Sequence, residues 1–295
     1  MVELTRSLST TDKDKSMSAI RRLPTEILDA VAAQIDGRHD ILSFALACRL
    51  FHAVAVPRHT KHRLVLTSYS DTAHWTSLLS RPDLTSATRV VHILDAPRRG
   101  SYPSKASELN QVAEALKNMP RLKAFAWTPP LSLRGDKERR AGAGVWDAIG
   151  QLGEVRHLAV IQPLNPPGQF PAYVGAIERY PLWSLGGLTS ISLVNVSFLR
   201  HQESVAQFAR VLKNSPQLER LHVVLYDWNF SLSIMLGDAR FDALKALTLE
   251  LYAEPTRNSE ALAAFLERTP SLEALEWEVR VGCALCPSIF RSAQG

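Results

Sequence analysis

Apolar residues along the chain follow two rhythms. In LPTEILDAVAAQIDGRHDILSFALACRLFHAVAVP, from Leu23 to Pro57, they recur at three- and four-residue intervals, the spacing of helices. Pro24 suits a helix start, and Glu26 in the first turn complements the helix dipole. Ile27, Leu28, Val31 and Ile35 form one apolar stripe. Gly37 ends that helix, and Asp40 is placed to cap a second one beginning at Ile41 and carrying Leu42, Ala45 and Leu46. A third, short helix runs through Leu50, Phe51 and Val54 and stops at Pro57.

The second rhythm begins near residue 85, where a segment of the type LxxLxL recurs. Its members are Leu122-Phe125-Trp127, Val155-Leu158-Val160, Leu188-Ile191-Leu193, Leu218-Leu221-Val223, Leu244-Leu247-Leu249 and Leu272-Leu275-Trp277, with a weaker one around Val90–Leu94. Helical patterns such as ELNQVAEALKNMP, QESVAQFARVLKNSP and NSEALAAFLERTP lie between them, each closed by Pro120, Pro216 or Pro270. A strand and a returning helix at a period near 30 predict an α/β solenoid of parallel strands joined by right-handed crossovers. One repeat cannot bury its own leucines; stacked repeats share a continuous core. The chain therefore reads as a polar, disordered leader (1–17), a helical module (18–60) and a solenoid (61–295).

The helices of the module total fewer than about 40 residues, a size at which an isolated core is marginal. They carry more apolar side chains than three short helices can hide, so the solenoid or a partner must cover the rest.

The order Leu23-Pro24, Glu26-Ile27-Leu28, Ile35, Ile41-Leu42, Ala45-Leu46 and Ala47-Cys48-Arg49 with Phe51 resembles an F-box over about 40 residues. The turn Asp36-Gly37-Arg38-His39-Asp40 lacks the usual Pro, and Ala47 stands where a larger aliphatic is common. The continuation PRHTKHRLVLTSYS and LLSRPDLTSATRVVHI is also similar to F-box proteins of mushroom-forming fungi. The later repeats resemble an irregular leucine-rich repeat of the intracellular, helix-containing type, though the usual Asn is mostly missing. The resemblance implies a surface of Leu23, Pro24, Ile27, Leu28, Ile35, Leu42, Ala45, Cys48 and Phe51 that docks a Skp-type adaptor and, through it, a cullin. The chain would then recruit a target protein, not yet identified, to an SCF-type ubiquitin ligase, with no catalytic residue of its own. The alternatives are a helical cap in an interaction scaffold outside any ligase, and a basic nucleic-acid-associated protein.

Composition narrows these. No stretch reaches the roughly 18 apolar residues of a membrane helix, and the opening MVELTRSLSTTDKDKSMS lacks a signal-peptide core. Three cysteines form no complete disulfide framework, so a cytosolic or nuclear setting is expected. A net charge of +5 spread along the chain argues against nucleic acid as a partner.

Several other features bear on chemistry. On the expected concave sheet face, Ala159, Ser192, His222, Thr248 and Glu276 should form one exposed column and Ile161, Val194, Val224, Glu250 and Glu278 the next. The column is either a solvated surface or a target site, with His222, Glu250, Glu276 and Glu278 offered to a basic element. PPLSLRGDKERRAGAG (129–144) reads as a surface loop, without the order of a phosphate-binding loop. Cys283 and Cys286 have CxxC spacing but no second ligand pair, so no metal or cofactor is expected. Trp127 and Trp277 occupy buried slots of the repeat, while the facing of Trp75, Trp146, Trp183 and Trp228 stays open. A short irregular cap or a truncated product is expected after the last strand.

Overall fold

The computed structural model describes residues 23–35, 37–60, 63–94, 105–128, 136–161, 185–196, 202–225, 232–237, 240–251 and 255–279. The leader, Trp183, Trp228, the CxxC pair and the expected C-terminal cap lie outside them. The chain divides into two compact units, Met1–Leu64 and Val65–Gly295.

The first unit holds α1 (Thr25–Gln34), α2 (Arg38–Ala47), α3 (Arg49–Ala55) and a π-helical turn (Val56–Thr60). The Pro24 carbonyl accepts the amides of Ile27 and Leu28, at 3.1 and 3.2 Å, which starts α1. Buried Ala32, Ile41, Ala45 and Ala55 make the interior, with Ile35, Phe44 and Val56 at its margin. Alanines at the contact let short helices approach closely. The rings of Phe44 and Phe51 stack at 4.3 Å and join α2 to α3.

Two expected boundaries change. α2 starts at Arg38 rather than Ile41, and Asp40 lies in its first turn without capping it through its side chain. A carboxylate there still favours the positive end of the helix. Pro57 does not stop the winding after α3. It sits inside the π turn, whose wider spacing relieves the clash a proline ring makes in a tighter helix, and the Thr60 hydroxyl donates back to the Val56 carbonyl at 2.8 Å.

The second architecture is a single eight-stranded sheet in strict chain order: β1 (Leu64–Ser68), β2 (Val90–Leu94), β3 (Ala124–Trp127), β4 (His157–Ile161), β5 (Ser190–Val196), β6 (Arg220–Leu225), β7 (Ala246–Leu251) and β8 (Ala274–Val279). The ladders from β2 to β8 are parallel. Between strands run α4 (Thr72–Leu79), α5 (Pro82–Ala87), α6 (Lys105–Lys117), α7 (Asp136–Gln151), α8 (Gln202–Lys213), α9 (Leu232–Leu236) and α10 (Pro255–Glu267). The fold is thus α/β with an all-parallel sheet, and β1 is a strand the LxxLxL reading did not include.

The core is the alternating inward row of each strand. Val91 and Ile93, Phe125 and Trp127, Leu158 and Val160, Ile191 and Leu193, Leu221 and Val223, and Leu247 and Leu249 are all buried. Full burial of such a side chain contributes about 1.5–3 kcal/mol. The row opens at β8, where Leu275 is 46% exposed and Trp277 only half-buried, since no further described strand covers that edge. In five repeats the opening residue is fixed by the same turn: Leu122 N–H donates to the Met119 carbonyl, Val155 to Leu152, Leu218 to Ser215, Leu244 to Phe241 and Leu272 to Thr269, at 3.0–3.4 Å.

The expected loop at 129–144 is corrected from Asp136 onward. That part is the start of α7, because Ala141, Val145, Ala148 and Ile149 repeat at helical spacing and are buried, with Trp146 beside them. Gly144 lies against α6: a Cβ there would meet the Ala113 Cβ at 3.9 Å. Trp75 and Trp146, whose facing the sequence left open, are both core residues.

Candidate protein-docking surfaces

Helix α1 carries two apolar rows one residue apart. Leu28 and Ala32 are buried and Ile35 continues their row, half-buried. Ile27 and Val31 point outward, 48% and 45% exposed. Helix α2 repeats the arrangement: Ile41 and Ala45 are buried, Leu42 and Leu46 are 39% and 80% exposed. Residues four apart share a helix face. Each helix therefore presents an apolar row to solvent besides the one it buries, and the single stripe read on α1 is two.

The expected docking set divides accordingly. Leu23, Pro24, Ile27 and Leu42 are exposed; Ile35, Cys48 and Phe51 are half-buried. Cys48 sits at an extended break between α2 and α3, and its thiol is free. Leu28 and Ala45 are corrected: both are about 2% exposed and present no surface to a partner. Val31 and Leu46 belong to the outward rows and were absent from the expected set. Apolar residues on more than one side of a short helix are the sequence signal that could have found them.

Two side chains from beyond α3 hold α1. His59, 6% exposed, meets the Asp29 carboxylate through Nε2 at 2.9 Å. The buried Arg63 guanidinium donates to the Ala32 carbonyl at 2.7 Å and also to the Ile35 carbonyl. It thereby adds to the Ile35 amide, which reaches the Ala32 carbonyl at 3.4 Å, in closing the end of α1.

On the sheet, the two columns read from the sequence form in register. Ala159, Ser192, His222, Thr248 and Glu276 are neighbours across β4–β8, and His92 and Ala126 extend the column to β2. Ile161, Val194, Val224, Glu250 and Glu278 form the second. A bulge between Val194 and Val196 puts Asn195 at φ 59°, a conformation asparagine tolerates. Val224 departs from expectation, being 5% exposed.

His222 is half-buried; its Nδ1 lies 3.2 Å from the Ser192 hydroxyl. This is a serine–histidine contact, yet the register neighbour on the other side of His222 is Thr248 and not a carboxylate. Thr248 in turn donates to the Glu276 carboxylate at 3.4 Å. Burial holds the His92 imidazole below its ordinary value. It does the same at His157, helped by the nearby Arg220 and Lys123 cations against Glu219.

Among the described residues, no group of three or more His, Cys, Asp or Glu side chains is placed to hold a metal ion, and no helix is long and apolar enough to cross a membrane. Neither a protein-family model nor a curated protein matches the chain.

Proposed function

We propose that the chain is a substrate-recognition adaptor of an SCF-type ubiquitin ligase, an F-box with a leucine-rich-repeat-like unit. Its helical unit docks a Skp-type adaptor, and its sheet unit binds the target. In this reading the protein supplies position rather than chemistry, raising the effective concentration of the target near the ubiquitin-transfer machinery. The observation that carries it is the pair of outward rows, Ile27 with Val31 and Leu42 with Leu46, which are exposed on a small helical unit. They are the kind of surface that a foreign subunit covers. Support also comes from the ordered F-box-like residues between Leu23 and Phe51.

The test is co-purification of the full chain with a Skp-type adaptor. Capture is expected for the native chain, and Ile27→Ala with Val31→Ala should weaken it by about tenfold or more, as loss of central apolar anchors does. Leu23→Ala with Ile27→Ala should do likewise. A native chain that ignores the adaptor at micromolar concentration would sink the proposal. The second reading, a scaffold outside any ligase, is favoured by the burial of Leu28 and Ala45, which leaves fewer docking side chains than the resemblance implies.

A further inference from the structure

Cations gather where the middle strands begin. Lys123, Arg156, Thr189 and Glu219 stand just before β3, β4, β5 and β6. Backbone bonds of 2.8 Å join them in a row, from the Arg156 N–H to the Lys123 carbonyl, Thr189 to Arg156 and Glu219 to Thr189. One residue on, Ala124, His157, Ser190 and Arg220 are register neighbours on the outward face. Arg121, exposed, precedes Lys123 in the turn into β3. This stretch of the sheet end thus holds Arg121, Lys123, Arg156 and Arg220 against Glu154 and Glu219.

The positive charge is not balanced within the chain. Arg156 is half-buried and donates through Nη1 to the Gly153 carbonyl at 3.1 Å and the Gly187 carbonyl at 3.4 Å. Neutral acceptors fix the guanidinium without cancelling its charge. Arg220 is exposed, and among the described residues no carboxylate lies within 4.0 Å of the Arg121, Arg156 or Arg220 guanidinium. Glu219 is already paired, with Lys245 at 3.7 Å. Lys123 has contacts of its own, yet its field reaches His157. Burial first, then the Arg220 and Lys123 cations, hold that imidazole below its ordinary value, with Glu219 acting the other way. An imidazole that neighbouring cations help to keep neutral marks a surplus of positive potential.

We infer that this corner, where β3 to β6 begin, takes an acidic segment of a partner protein, with carboxylates over Ser190 between His157 and Arg220 and beside Arg121 and Arg156. The inference rests on the reading of the sheet unit as the target-binding part. Ala124 and Ser190 are small and leave room for the segment to lie close to the strands. β3 and β6 are three strand spacings apart, about 14 Å, which an extended chain spans in about five residues. A short row of this kind fits a few carboxylates better than the many phosphates along a nucleic acid. The nearby aromatic side chains of Phe125, Trp127 and Trp146 are buried, so they offer bases no stacking platform.

The test is selection from a random library of displayed peptides of about eight residues on the immobilised full chain, followed by titration of a synthetic winner. Enriched peptides should be rich in aspartate and glutamate. The winner should bind at least about tenfold more weakly to Arg121→Glu with Arg220→Glu, and less tightly at high salt. Both arginines are exposed, and Arg121→Ser with Arg220→Ser, folded by circular dichroism, should weaken binding in the same direction. Arg81→Glu, a like charge change at the start of α5, should leave it within about twofold. No enrichment over bare support, winners that are basic or uncharged, a winner that ignores both double variants, or an equal loss in Arg81→Glu would each overturn the inference. So would a mixed-sequence RNA oligonucleotide that binds more tightly than the winner and loses its binding in the double variants. Adaptor capture is measured on the same proteins. If acidic peptides bind while the native chain ignores the adaptor, the ligase reading falls and this surface stands; the reverse result removes the surface alone.

Discussion

The Arg63 guanidinium donates to the Ala32 carbonyl at 2.7 Å, joining residues 31 apart in the chain. Its second donation, to Ile35, closes the same helix end. A buried guanidinium with carbonyl partners is costly to break, because both the carbonyls and the surrounding cavity lose their occupant. Arg63→Ala should therefore destabilise the helical unit by about 2–4 kcal/mol, combining lost charge-assisted hydrogen bonds with a buried helix end left short of donors. Arg63→Lys should recover part of that, since a lysine supplies the charge without the planar fork. Urea denaturation followed by amide exchange in α1 reads both; an Arg63→Ala protein with native exchange in α1 would show that the contact is dispensable.

Most of the sheet was legible in the sequence because each strand repeats one pattern. Leu122-Phe125-Trp127 and its successors fill the same three slots, so period and register can be read together. β1 escaped because its row is reversed: Val65 and Thr67 face in, while Leu64 and Leu66 face out, and a buried threonine gives no apolar alternation. The start of α7 was hidden by Gly142 and Gly144, which read as loop residues; both lie within the helix, and Gly144 sits against α6, where a Cβ would meet the Ala113 Cβ at 3.9 Å. In the helical unit, spacing alone placed Ile27 and Leu28 on one stripe. They lie about 100° apart on a helix, and packing by Ala32, Ile41 and Ala55 decides which row turns inward.

The two lowered histidines make stability depend on pH in a definite direction. The neutral forms of His92 and His157 are favoured in the folded state because burial penalises the imidazolium. At His92, Nε2 is also buried without a hydrogen-bond partner. The unfolded chain then binds more protons near and below the ordinary value of 6.5, so folding stability rises with pH there. Their contribution is complete above that value and is lost as pH falls toward the depressed folded values. His92→Asn with His157→Asn should flatten the rise in unfolding free energy between about pH 5 and pH 7.5 relative to the native chain. Carboxylates titrate in both proteins, so the difference between the two curves is the measurement. Parallel curves would mean that neither imidazole prefers its neutral form.

Ser215 and Thr269 occupy equivalent turns before β6 and β8, yet they do different work. The Ser215 hydroxyl donates to the Val211 carbonyl at 2.9 Å and accepts the buried amide of Leu188 at 3.2 Å, a contact that spans 27 residues. The Thr269 hydroxyl makes the first kind of bond, to the Phe265 carbonyl at 3.0 Å, within its own helix end. The repeat containing Leu188 starts differently from its neighbours: Gly187, at φ 68°, turns the chain, and its N–H reaches the Asn214 carbonyl at 2.8 Å. A side chain one repeat ahead supplies the acceptor for the next amide. Removing that acceptor leaves a buried N–H unsatisfied, whereas removing a hydroxyl that only back-bonds to a helix carbonyl does not. Ser215→Ala should lower the unfolding free energy by about 1–3 kcal/mol, and Ser215→Thr should retain most of it if the added methyl fits. Thr269→Ser, which keeps the hydroxyl and removes only a methyl, should cost about 1 kcal/mol or less. Amide exchange at Leu188 separates the explanations, because it should accelerate in Ser215→Ala beyond the change in global stability. Equal acceleration at Leu188 and at the neighbouring Leu218 amide would show that the serine serves its helix end and not the strand beside it.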